Sequence, residues 1–298
     1  MAGRRRKKSG GRSYAWRYRG RIVACVFVEV IIICALVIMI GWNKGVKEWF
    51  EQFEQPVLKE VDISGINSPN AILMQARGGK ILGEINGEAQ IYPASMTKIM
   101  TVILGIENFD DLDEKITLTN EMFSGLYEQD ATQAGFQPGE EVRVIDLLYG
   151  AMLPSGAECC IALADTISGS EADFAELMNK KARKLGMENT HFCDSTGLHN
   201  PDHYSTVKDI AVLMKYCIKN DTFREIVETS RHSTGVTNIH PDGITYYSTM
   251  FKNLSDPTVT GGKILGGKTG YTSEAGHCLV SFAEIEGREY IFVSAGAS

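Results

Sequence analysis

The chain has 298 residues, 44% of them hydrophobic and 22% charged, with a formal charge of -7 and a pI near 5.5. That apolar content excludes disorder as the general state, and the acidic balance argues against nucleic acid as a partner. The charge is unevenly spread: residues 1–21 carry nine Lys/Arg and no acid, leaving 21 basic against 37 acidic residues in the remainder.

Residues 22–42 are an almost unbroken apolar run, interrupted by Glu29. As a helix, 21 residues rise about 31 Å, close to the thickness of a bilayer's hydrocarbon layer. The basic flank keeps residues 1–21 in the cytoplasm by the positive-inside rule. A cleavable signal peptide has a shorter apolar core ending in small residues, whereas this run continues into Ile40-Gly41-Trp42. An uncleaved single-pass anchor over 22–42, embedded in membrane lipid, is therefore expected. Residues 43–66 read as a juxtamembrane stalk, because Trp49, Phe50 and Phe53 share one helical face before Pro56. A folded extracytoplasmic domain then occupies 67–298.

Within that domain, residues 71–76 and 80–85 are short apolar runs separated by Gly78-Gly79, which predicts a β-hairpin. Pro93-Ala94-Ser95 opens a helix reaching about Asn108 that is apolar almost all round, the mark of a buried central helix. Helices are expected over 144–153, 157–167, 174–185 and 207–219, punctuated by Pro154 and Gly186. Residues 265–271, 277–284 and 289–294 then read as an antiparallel meander. Strands at both ends with helices between predict an α+β architecture (in the wider sense α/β): one antiparallel sheet built from both ends of the domain, flanked by a helical subdomain.

Two of the seven cysteines, Cys25 and Cys34, fall in the apolar run. The others are Cys159, Cys160, Cys193, Cys217 and Cys278, an odd number without a CxxC spacing. They read as small buried hydrophobes rather than a disulfide framework or zinc ribbon. His199 and His203 are separated by Pro201, so they sit on a loop rather than one helical face, and no metal or cofactor is expected.

Chemistry is signalled by Ser95-Met96-Thr97-Lys98, which places a hydroxyl and an amine on one face at the start of a buried helix. Lysine activates a serine only when neutral, and at its unperturbed pKa roughly one lysine in 2500 is neutral at pH 7. Burial in the apolar helix, or a second cation nearby, must lower that pKa. The same spacing recurs at Ser205-Thr206-Val207-Lys208, where Ser205 reads as a helix N-cap. Two further elements distinguish Ser95. Ser155-Gly156-Ala157 lies at the junction of two helices, and Lys268-Thr269-Gly270 lies on a strand that offers backbone groups, a hydroxyl and a cation to a carboxylate.

Ser-x-x-Lys, Ser-x-x and Lys-Thr-Gly in this order resemble the signature of penicillin-binding proteins and serine β-lactamases. The likeness is strongest to the low-molecular-weight D-alanyl-D-alanine carboxypeptidases and covers roughly 69–298. It is carried by Pro93–Lys98, Asp146-Leu147-Leu148-Tyr149-Gly150, Leu185-Gly186-Met187, Gly197-Leu198-His199, His203-Tyr204-Ser205-Thr206 and Lys268-Thr269-Gly270-Tyr271-Thr272. The resemblance implies a β-lactamase/transpeptidase-like fold in a bacterial membrane protein acting on peptidoglycan stem peptides that end in D-Ala-D-Ala. It further implies Ser95 as nucleophile, Lys98 as general base and Ser155 as proton relay. Lys268, Thr269 and Gly270 would bind substrate, the N–H of Tyr271 would join that of Ser95 in an oxyanion hole, and β-lactams would act as inhibitors.

Two departures qualify the likeness. The family's second motif usually ends in Asn, where this chain has Ala157. The sequence ends at Ala297-Ser298, directly after the last expected strand, so the family's sheet-covering final helix is expected to be missing and apolar strand surface to be exposed unless the stalk or a partner covers it. Two competing readings follow: a β-lactam or peptidoglycan sensor that acylates with little turnover, which Ala157 and the anchor would suit, and a class A β-lactamase, for which no glutamate-bearing loop is evident after the second motif.

Overall fold

The hairpin signalled by Gly78-Gly79 forms as β1 (Asn70–Gln75) and β2 (Ile81–Ile85). The computed structural model describes residues 59–254 and 256–298. The basic tail, the apolar run 22–42 and residues 43–58 lie outside the described residues, and no helix among the described residues is long and apolar enough to cross a membrane. From Lys59 onward the chain lies against β2, where Val61 N donates to Leu82 O at 2.6 Å and Ile63 is buried.

The meander is long and regular: β8 (Gly262–Thr272), β9 (Gly276–Ile285) and β10 (Arg288–Ala297). β10 pairs with β1 in the register Ile72↔Val293, so the two ends of the domain close one antiparallel sheet in the order β2-β1-β10-β9-β8-β7, where β7 is Thr258–Val259. Alternation buries Ile72, Met74, Val280, Phe282, Ile291 and Val293 on one face. The other face carries Leu73, Leu279 and Phe292 half-buried.

The helix Val207–Cys217 lies against the buried face. On its far side α1 (Lys98–Asn108) packs among the other helices, entered through a 3-10 turn over Ala94–Thr97 that touches β8 and β9. Every residue from Lys98 to Gly105 is buried, as its all-round apolar composition requires. The expected helices follow as α2 (Val144–Met152), α3 (Ala157–Ser168), α4 (Glu171–Leu185) and α5 (Val207–Cys217). Ser170 caps α4 by accepting from Asp173 N, and Gly186 closes it in the left-handed conformation. At α5 the cap is Thr206, accepting from Asp209 N at 3.0 Å, and not Ser205, whose hydroxyl is instead bonded to Thr190 Oγ1. Besides β7 and the short turns Glu121–Phe123 and Thr249–Lys252, three larger features were not read from the sequence. They are α6 (Asp221–Glu228) and two ribbons of three-residue strands, β3 (Lys115–Thr117) with β4 (Glu141–Arg143) and β5 (Arg231–Ser233) with β6 (Thr245–Tyr247). The five described cysteines are unpaired, four buried and Cys193 half-buried.

Candidate active site

Ser95 stands in the 3-10 turn, half-buried, directly after Ala94, whose φ of +46° is a left-handed conformation rare for alanine. Strain of this kind persists where surrounding structure fixes it, and here Ala94 is buried. One turn on, the Lys98 amine lies 3.1 Å from Ser95 Oγ and donates to the Thr196 carbonyl at 2.7 Å. Lys98 is only 4% exposed. That burial pushes its amine below the ordinary lysine range, against the opposing pull of the anionic groups nearby, among them Asp194 and Glu158.

Ser155 occupies the link between α2 and α3 with a φ of +74°, a second non-glycine residue in the left-handed region. Its hydroxyl accepts from Lys268 Nζ at 3.0 Å, and the same amine donates to Thr269 O at 2.8 Å. On β8, Lys268 is in register with Val280, so its side chain points into the domain, where it is 1% exposed. Burial, then the proximity of Lys98, holds the Lys268 amine well below its usual range. Thr269 Oγ1 lies 2.7 Å from Thr249 Oγ1. Gly270 lets β8 approach the nucleophile: a Cβ there would sit 3.0 Å from Ser95 N.

The three loci separated in sequence therefore meet. A cleft of about 340 Å³ opens above them, lined by Ser95, Lys98, Ala157, Thr196 and Tyr271 among others. Tyr271 stands at its rim, 61% exposed. Ser155 and Lys268 form a buried pair behind this wall. Ala157 adds no polar side chain, but its N–H donates to Thr132 O at 2.8 Å and ties α3 to the cleft wall. Gln129 is the one carboxamide among the lining residues. Glu158 does not line the cleft: its Oε1 accepts from Ala134 N (2.6 Å) and Gly135 N (2.9 Å), and burial raises its pKa.

Sequence reasoning missed the Thr196 carbonyl and the Thr249 hydroxyl. A backbone carbonyl carries no residue-type signal, and Thr249 belongs to no motif. Chemically, a hydroxyl beside a buried amine supplies an activated nucleophile, a second amine–hydroxyl pair supplies a proton path, and the polar strand edge can hold an anion.

Known proteins resemble this chain in sequence and fold. Residues 57–298 match the family Peptidase_S11, D-alanyl-D-alanine carboxypeptidase. D-alanyl-D-alanine carboxypeptidase DacF of Bacillus subtilis is 35% identical over 231 residues, covering 77% of this chain and 57% of the relative. DacC of Escherichia coli is 33% identical over 262 residues, covering 80% of this chain and 58% of the relative, so the chain spans a little under three-fifths of both. The crystal structure of the Streptomyces K15 DD-transpeptidase superposes with a TM-score of 0.71 at 29% identity, covering 80% of this chain and 93% of that one. The chain belongs to the S11 peptidases, the D-alanyl-D-alanine carboxypeptidase family of low-molecular-weight penicillin-binding proteins.

Proposed function

We propose that the chain is a membrane-anchored serine D-alanyl-D-alanine carboxypeptidase that removes the terminal D-alanine of peptidoglycan stem peptides. The observation that carries this reading is the buried Lys98 amine 3.1 Å from Ser95 Oγ, with its pKa driven down. Neutral Lys98 takes the Ser95 proton as Oγ attacks the carbonyl between the two D-alanines. The N–H groups of Ser95 and Tyr271 receive the oxyanion, where one donor is typically worth about 10²–10³ in rate. Lys268 and Thr269 hold the terminal carboxylate, with Gly270 keeping that edge close to Ser95. Ser155, linked to Lys268, relays the proton that Lys98 took to the departing amine of D-alanine, which leaves Lys98 neutral again. Water then cleaves the acyl-enzyme, with Lys98 again accepting a proton, and Ser95 is restored. β-Lactams enter the same cycle and stay on Ser95 because their leaving group remains tethered. The apolar run 22–42 and its basic flank support a single-pass anchor with the catalytic domain outside the bacterial cell membrane.

The test is release of D-alanine from a peptide ending in D-Ala-D-Ala, measured beside penicillin labelling of the same sample. Release together with labelling that Ser95→Ala abolishes is the result expected. Stable labelling at Ser95 without release would instead favour a sensor, the reading that Ala157 suits.

A further inference from the structure

A neutral amine has one lone pair, and it accepts the Ser95 proton only when that lone pair faces Oγ. The Thr196 carbonyl restricts its rotation by taking one N–H at 2.7 Å. That carbonyl belongs to a tightly pinned loop. Asp194 Oδ1 accepts from Thr196 N (2.8 Å), Thr196 Oγ1 (2.8 Å) and Gly197 N (2.6 Å). Thr101, one turn after Thr97 on the same helix face, donates to Ser195 O at 2.6 Å. The other Asp194 oxygen lies 3.0 Å from His203 Nδ1, and His203 Nε2 lies 2.8 Å from Thr97 Oγ1.

Hydroxyl, imidazole and carboxylate thus form a line like that of a hydrolytic triad. His203 is 2% exposed and Thr97 is fully buried, and none of the three lines the cleft, so no substrate reaches this hydroxyl. The line acts as a tie. One end is the residue directly before Lys98, and the other is the turn that carries the carbonyl gripping Lys98. The Cys193 N–H also points at Nδ1, at 3.2 Å, but a carboxylate 3.0 Å away calls for a proton on that nitrogen. Nδ1–H is therefore assigned as the donor to Asp194, Nε2 accepts from the Thr97 hydroxyl, and the tie needs no proton transfer to work.

We propose that Thr97, His203 and Asp194 are positioning residues that lock the Thr196 carbonyl against the Lys98 amine and so aim its lone pair at Ser95. The proposal rests on reading Lys98 as the base.

The experiment measures acylation by a fluorescent penicillin against pH, using the whole 298-residue chain, for Thr97→Val, Thr97→Ser and His203→Met. Thermal melts report the folded fraction of each variant. Thr97→Val keeps the size and removes the hydroxyl. Acylation is expected to slow by about 10- to 100-fold, the range typical of a positioning loss, with penicillin affinity before acylation unchanged. The acid limb of the profile moves to lower pH, because the Lys98 ammonium loses an acceptor that favoured it. Thr97→Ser recovers to within about threefold of wild type, while His203→Met shows the same limb shift and carries the test if Thr97→Val does not fold. A limb that stays in place, with rate lost only in proportion to unfolded protein, overturns the proposal, as does Thr97→Ser acting as slowly as Thr97→Val. The underlying reading fails separately: Lys98→Met acylating at the wild-type rate would remove the base itself, whatever the Thr97 variants do.

Discussion

Gly270 offers the sharpest test of how the strand and the nucleophile share one geometry. In Gly270→Ala the new Cβ would lie 3.0 Å from Ser95 N, 3.2 Å from Ala94 Cβ and 3.2 Å from Pro93 O. Comfortable carbon contacts are about 3.5–4.0 Å, so β8 and the 3-10 turn must separate by roughly half an ångström. Neither side yields easily: β8 is paired with β9 along its length, and Ala94 is buried in a strained conformation. A misplacement of about 1 Å at a reacting centre costs on the order of 10²-fold, so half that distance is expected to cost about tenfold, near 1.4 kcal/mol of barrier. The assay is the second-order rate of penicillin acylation, with melting temperature recorded in parallel. An acylation rate within twofold of wild type, at unchanged stability, would refute the tight approach of β8 to Ser95.

Gly197→Ala should be far worse, because its φ is +81° and a Cβ would fall 1.9 Å from Ala94 O; loss of the folded protein in a thermal melt is expected. Lys98→Met should reduce acylation by at least about 10³-fold while leaving the melting temperature equal or higher, since a buried amine is replaced by an apolar chain of similar length. Burial would raise Asp194, but its bonds from His203, Thr196 and Gly197 bring it down to about 2 from an ordinary 3.8. A depressed carboxylate stabilises the fold above its unfolded pKa. About 2 kcal/mol should therefore be present at neutral pH and lost as pH falls from 4 to 2, visible as a difference from Asp194→Asn in urea melts that closes toward pH 2. Among the described cysteines Cys193 should react first with a thiol reagent in the native protein, and Cys159, Cys160, Cys217 and Cys278 only on unfolding, as mapped by mass spectrometry.

Much of the fold was legible because its signals are local. Gly78-Gly79 marks the first hairpin, Pro154 and Gly186 mark helix ends, and the period-2 pattern of 277–294 marks a meander. The β3–β4 and β5–β6 ribbons, at three residues a strand, are too short to show any period. Ser205 and Thr206 are both good caps, and only the backbone decides between them. At the site, the motif residues came together as their order suggested. His203 was weighed with His199 as a metal ligand and belonged to a stretch that carries the resemblance, but a histidine in a loop says nothing of its partners. Its environment depends on Thr97, 106 positions away. The same holds for the Thr196 carbonyl, which the fold alone brings to Lys98.

The most direct measurement is the pH profile of Ser95 acylation by a penicillin in the wild-type chain. With Lys98 buried and its pKa lowered, the acid limb of acylation should lie below that of an ordinary lysine, and the rate should level off before the pH reaches the ordinary lysine range. A rate that climbs tenfold per pH unit up to about pH 10, as an ordinary lysine of pKa near 10.4 would give, would contradict the buried free base beside Ser95.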